Sequence, residues 1–189
     1  MSVSIPRRLV RDRLIREAEG YLELTMACAD RWELDPGVRD PVGERVLKTL
    51  MRLEPEDRHN AHVWYLQGLA YRAMERYDDA IIPLQDAAEV DPENTHIWLT
   101  LGWCYKRTNR LHLAIEALHE ALAVDPRQAI VHYNLACYRS LSGQTELALE
   151  HLGMAFELDS DYRALAAKES DFDAIRTNPS FLELTSVIC

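Results

Sequence analysis

A recurrence constrains this chain more than any other feature of its sequence. Trp98, Gly102, Tyr105, Ala114, Ala121 and Pro126 each follow a residue of the same type by 34 positions: Trp64, Gly68, Tyr71, Ala80, Ala87 and Pro92. Leu135, Ala136, Ala148 and Ala155 carry the step further downstream. A repeat of this length reads as one supersecondary unit of two helices. One helical hairpin cannot bury its apolar face alone, so such units must stack on their neighbours.

The residue types inside the period explain themselves. Gly68 and Gly102 mark places on the first helix of a unit, helix A, where no side chain fits against the second, helix B. Ala80, Ala114 and Ala148 allow the same close approach from helix B, while Trp64, Trp98, Tyr71 and Tyr105 fill the flanking gaps. Pro92 and Pro126 follow Val-Asp and so end helix B. The spacing predicts a helix A over 61–73 and a helix B over 77–90, with Asn94 or Thr95 capping the next unit.

These residues resemble the tetratricopeptide repeat, whose pattern runs Trp, Leu-Gly, Tyr, Ala, a large apolar residue, Ala and Pro. The resemblance implies an all-α, right-handed superhelical α-solenoid of about four helix pairs plus a C-terminal capping helix. It places repeats at 61–94, 95–128 and 129–162, with a cap over 163–189. Residues 1–60 fit a diverged first repeat with an insertion of about 13 residues between its helices, Ala27 to Arg39. There Gly43 stands at the position of the close-packing Ala, and Asp35-Pro36-Gly37 and Asp40-Pro41 read as a turn. In the fourth unit His132 replaces Trp and Ser160 replaces Pro. The ending, Asp171-Phe172-Asp173 followed by Asn178-Pro179 and Phe181-Leu182, is similar to that of many bacterial proteins of this type. Phe172, Ile175, Phe181 and Leu182 are expected to seal the terminal core.

Composition excludes several classes. The formal charge of −10 disfavours nucleic acid as a partner. No apolar run approaches the roughly 20 residues that span a bilayer. Five arginines precede residue 17 but no apolar stretch follows them, so neither membrane nor export is expected and a cytoplasmic setting is the default. Cys28, Cys104, Cys137 and Cys189 lack a paired spacing and read as free thiols. No phosphate-binding loop, dinucleotide fingerprint or nucleophile elbow is present, so no enzyme and no cofactor are expected. His112 and His119 are seven apart on one helix, too far for a shared metal, and His62 and His96 occupy equivalent offsets. No metal site is expected.

What remains is a surface. In tetratricopeptide stacks helix A lines the concave groove, and the resemblance carries that role onto 18 positions here, six per repeat. Among them His62, Tyr65, Leu66, Leu69 and Arg72 come from the second unit. His96, Leu99, Thr100, Trp103, Lys106 and Arg107 come from the third, and Tyr133, Asn134 and Cys137 from the fourth. None of the 18 is acidic, where the average content predicts about three, and three are cationic. The expectation is a non-catalytic interaction module or scaffold binding a partner peptide, with aromatic anchors meeting apolar side chains and cations meeting carboxylates. Against it, aromatic residues also pack between helices, and cations also end helices for dipole reasons. Alternatives are a dedicated chaperone or assembly factor for a secreted or complex subunit, and a regulatory subunit of an enzyme. Oligomeric state is not readable from the sequence.

Overall fold

Several helices in this chain begin where a side chain satisfies their first N–H groups. Asn60 accepts from the Val63 N–H at 3.1 Å, Asn94 from His96 at 3.2 Å and Asn178 from Ser180 at 2.9 Å. The computed structural model describes residues 6–29 and 35–186, and these hold helices and turns but no strand. Two compact units divide the chain, Met1–Pro92 and Glu93–Cys189.

In the first unit α1 (Arg7–Ala29) pairs with α2 (Pro36–Leu50), and α4 (Ala61–Ala73) pairs with α5 (Tyr77–Val90). A single turn, α3 (Pro55–Arg58), links the two pairs. The second pair packs on the first through α4, which meets both α1 and α2. The shared core holds Leu14, Ala18 and Leu22 of α1, Val46 and Leu50 of α2, Leu53, and Val63, Leu66 and Ala70 of α4.

The turn expected at 35–41 is instead the start of α2. Asp35 caps it by accepting from the Gly37 N–H at 2.7 Å, and Pro36 takes the first helical position, where a missing N–H costs nothing. Because α2 starts at Pro36, residues 36–39 of the insertion are helical rather than loop, and Pro41 lies inside the same helix. The middle of the insertion, 30–34, lies outside the described residues. At Gly43 an added Cβ would stand 2.4 Å from Met74 Cγ and 3.1 Å from the Ala70 carbonyl of α4. Glycine therefore brings α2 closer to its neighbour than alanine could.

The second unit repeats the scheme with α6 (Thr95–Arg107) on α7 (Leu111–Val124) and α8 (Ala129–Leu141) on α9 (Thr145–Leu158). Then come α10 (Tyr162–Ala166), a 3₁₀ turn η1 (Ser170–Ile175) and α11 (Pro179–Thr185). Helices α4, α6 and α8 are each followed by a left-handed residue, Glu75 (φ 56°), Asn109 (φ 60°) and Gly143 (φ 72°). After each, an N–H reaches back to close the end: Arg76 to the Tyr71 carbonyl, Arg110 to Tyr105 and Gln144 to Arg139, at 2.8–2.9 Å. No helix among the described residues is long and apolar enough to cross a membrane.

Phe172, Ile175 and Phe181 are buried as the sequence led one to expect, but Leu182 is 54% exposed. It follows Phe181 directly on α11, and on so short a helix only one of two adjacent side chains can face the core.

Candidate peptide-binding face

Lys106 and Arg107 occupy the last turn of α6, where a cation complements the helix dipole. The Lys106 Nζ lies 5.5 Å from the centre of the Trp103 ring and donates to both carboxylate oxygens of Asp171, at 2.6 and 2.9 Å. Both side chains are largely withdrawn from solvent, 19% and 11% exposed. Asp171 lies in the first turn of η1, which packs along α8.

The next residue, Phe172, is fully buried. Its ring meets Tyr133 of α8 edge-on at 5.8 Å and Phe181 at 5.5 Å, while Tyr162 covers Tyr133 at 4.8 Å. Tyr133 and Cys137, read from the sequence as open groove, are thus covered by the chain's own C-terminal segment. Burial, reinforced by Asp171 and Glu169, pushes the Cys137 thiol far above its usual range and keeps it protonated. Burial likewise raises the Tyr133 hydroxyl.

The other sequence-identified residues divide between core and surface. Leu66 is core in the first unit. Thr100 is buried, its hydroxyl donating to the His96 carbonyl at 2.8 Å. His62 is exposed on α4 and pairs with Glu19 of α1 at 2.8 Å. Tyr65, Leu69 and Arg72 are half-buried along the same helix. On α6, Leu99 and Trp103 are half-buried and His96 and Arg107 exposed; Asn134 of α8 is half-buried. Each unit therefore presents an aromatic and a cation on its own A helix: Tyr65 with Arg72, and Trp103 with Lys106 and Arg107.

Sequence reasoning missed a histidine cluster across α7, α8 and α9. The His132 and His151 Nδ1 atoms are 3.1 Å apart, and His132 Nε2 is 3.1 Å from the Pro126 carbonyl. That carbonyl must accept, so His132 carries its proton on Nε2 and its Nδ1 accepts from His151. His119 Nε2 accepts from Arg139 at 3.0 Å. Burial lowers His151 to about 4, helped by His132, His119 and Arg139, and it lowers His119 as well. The substitution of His for Trp at 132 was the signal, but it needed the partner on α9 to have meaning. Among the described residues no group of three His, Cys, Asp or Glu side chains is placed to hold a metal.

These helix pairs, with small residues at their crossings and left-handed closures one period apart, define an all-α helix-pair repeat protein of the solenoid class. Residues 71–134 match the family model of the tetratricopeptide repeat. Among solved structures, MamA of AMB-1 is similar at 27% identity, covering 82% of this chain and 100% of that one, with a TM-score of 0.60. MamA of MSR-1 is similar at 26% identity over 84% and 99% of the two chains, again with a TM-score of 0.60. No curated protein matches the sequence significantly. The match over residues 71–134 and the likeness to these solved structures support a tetratricopeptide-repeat fold and a protein-interaction module.

Proposed function

We propose that this protein is a non-catalytic module that holds a partner segment against its A-helix faces. The segment it takes carries apolar anchors and at least one carboxylate. One observation carries the reading: the chain's own Asp171-Phe172 step sits on the second unit in this manner, carboxylate on Lys106 and ring on Tyr133. Arg107, exposed in the last turn of α6, and Trp103, half-buried, extend the same chemistry beyond the covered part. In the first unit Tyr65, Leu69 and Arg72 present a comparable set on α4.

The test begins with a pull-down from the source cell and mass spectrometry, then titration of the recovered partner. Trp103→Ala is expected to weaken binding by about 2 kcal/mol or more if the ring is a hot spot, with helical content unchanged. Removing the Arg107 charge should slow association and flatten its salt dependence. His112→Ala, on α7, serves as the control. Binding that is lost on His112→Ala and indifferent to Trp103→Ala would put the site on the other face.

A further inference from the structure

The C-terminal segment does more than close the last helix pair. An ion pair ties it to the repeat, Asp171 on Lys106, with both oxygens engaged by one ammonium. Its arginine, Arg176, turns back on the segment itself: it donates to the Ala167 and Glu169 carbonyls and to Asp173. The segment is therefore a self-tied loop placed on the face of α8 through a carboxylate and a ring. Its helical pieces span five, six and seven residues. Elements this short do not hold themselves and open before the long helices do.

We propose that residues 169–176 are a resident ligand of this face, and that the partner is an acidic segment with an aromatic residue beside a carboxylate, which binds by exchanging with them. This rests on the module reading above and narrows it. The aromatic residue is required because Phe172 is wholly buried against Tyr133 and Phe181. A segment that vacates this place leaves a ring-sized apolar surface wet, and another ring covers it best, packing on Tyr133 and Phe181 as Phe172 does. The carboxylate is required because a segment seated here leaves Lys106 only 19% exposed, and a largely desolvated ammonium without a counter-charge is costly. Basic or purely polar segments satisfy neither demand.

The experiment uses the full chain and a fluorescent peptide copying residues 168–176, read by anisotropy. Asp171→Asn loosens the resident segment while leaving Lys106 and Tyr133 in place. It is expected to bind the peptide at least tenfold more tightly than the wild type. Lys106→Ala should gain no such affinity, and a peptide with Ala in place of its Phe should bind neither protein. Cys137 gives a second readout. In a background with Cys28, Cys104 and Cys189 replaced by Ser, Asp171→Asn should raise its labelling rate by a thiol reagent about tenfold. Phe172→Leu supplies a second opened variant, held to the same two readouts. Equal peptide affinity for wild type and both opened variants would overturn the exchange, as would equal binding of the peptide lacking Phe. Faster Cys137 labelling without peptide binding would overturn it too, by showing a segment that opens over a face that does not receive it. A natural partner sensitive to Trp103→Ala but indifferent to Asp171→Asn would leave the module reading intact and end this one.

Discussion

Two glycines at equivalent positions of the repeat meet different surroundings, and that difference is measurable. On α4, a Cβ added at Gly68 would lie 2.5 Å from Leu84 Cγ and 2.6 Å from its Cδ2. Leu84 is itself fully buried, and its Cγ is a branch point rather than a flexible tip. Relief therefore needs a new rotamer in a filled core or a shift of α5. On α6, a Cβ at Gly102 would meet the Ala114 carbonyl and Leu118 Cδ2 at 3.3 Å, a crowding that a few tenths of an ångström relieve. Both substitutions to alanine gain the same helix propensity, about 1 kcal/mol. Overpacking costs about 1–3 kcal/mol, due in full at Gly68 and in small part at Gly102. Gly68→Ala should thus be destabilised by up to about 2 kcal/mol, while Gly102→Ala stays within about 0.5 kcal/mol of the wild type or gains slightly. Gly102→Leu, which fills the crossing, should lose at least as much as Gly68→Ala. Urea unfolding followed by circular dichroism reads this as midpoints at constant slope. A Gly68→Ala midpoint at or above the wild type, or one above that of Gly102→Ala, would refute the crossing geometry.

Gly143 has a φ of 72°, and a Cβ added there would meet nothing within 4 Å, so Gly143→Ala tests backbone strain alone. It should cost about 1 kcal/mol and Gly143→Asn less, by thermal or urea unfolding. His151, lowered to about 4 in the folded chain, binds its proton more readily when unfolded, where its value is about 6.5. Its neutral form therefore contributes stability above about pH 6.5 that is lost as pH falls toward 4, on the order of 1–2 kcal/mol after discounting for partial exposure. The difference in stability between wild type and His151→Gln, measured across that window, should shrink as pH falls; a constant difference would contradict it. Phe172→Ala should lose about 3–5 kcal/mol, because it empties a ring-sized site. A melting temperature within a degree of the wild type would show that the site is not packed.

Much of the fold was legible because it is periodic. The helices over 61–73 and 77–90 and the Asn94 cap fall where the recurrence puts them, since each obeys a local rule: small residues at crossings, a capping side chain, a proline after the end. The start of α2 was misread as a turn because Asp-Pro-Gly suits both, and only the tertiary packing of Gly43 on α4 decides between them. The covered face was not legible. Lys106 and Asp171 are 65 residues apart, and no period relates them. Tyr133 stands two periods from Tyr65 in the same register, yet a ring from beyond the repeats, Phe172, is laid against it. Periodicity tells which side chains share a helix face, but not what a non-repeating segment does to that face.

The electrostatics of folding and of recognition use the same side chains here. Helices α4, α6 and α8 each carry arginine or lysine in the last turn: Arg72, then Lys106 with Arg107, then Arg139. The helix dipole favours a cation there whatever the protein does. A repeat that copies helix A therefore copies a positive charge beside the same face, within a chain whose formal charge is −10. On the function proposed above, a preference for carboxylate would follow from the fold before any partner is selected. What distinguishes one A helix from another is then the fate of that charge. Arg139 is turned to His119 and Gln144, whereas Lys106 is taken by Asp171 from outside the repeats. On the proposed reading, recognition is set less by which cations the chain has than by what its own side chains have already done with each of them.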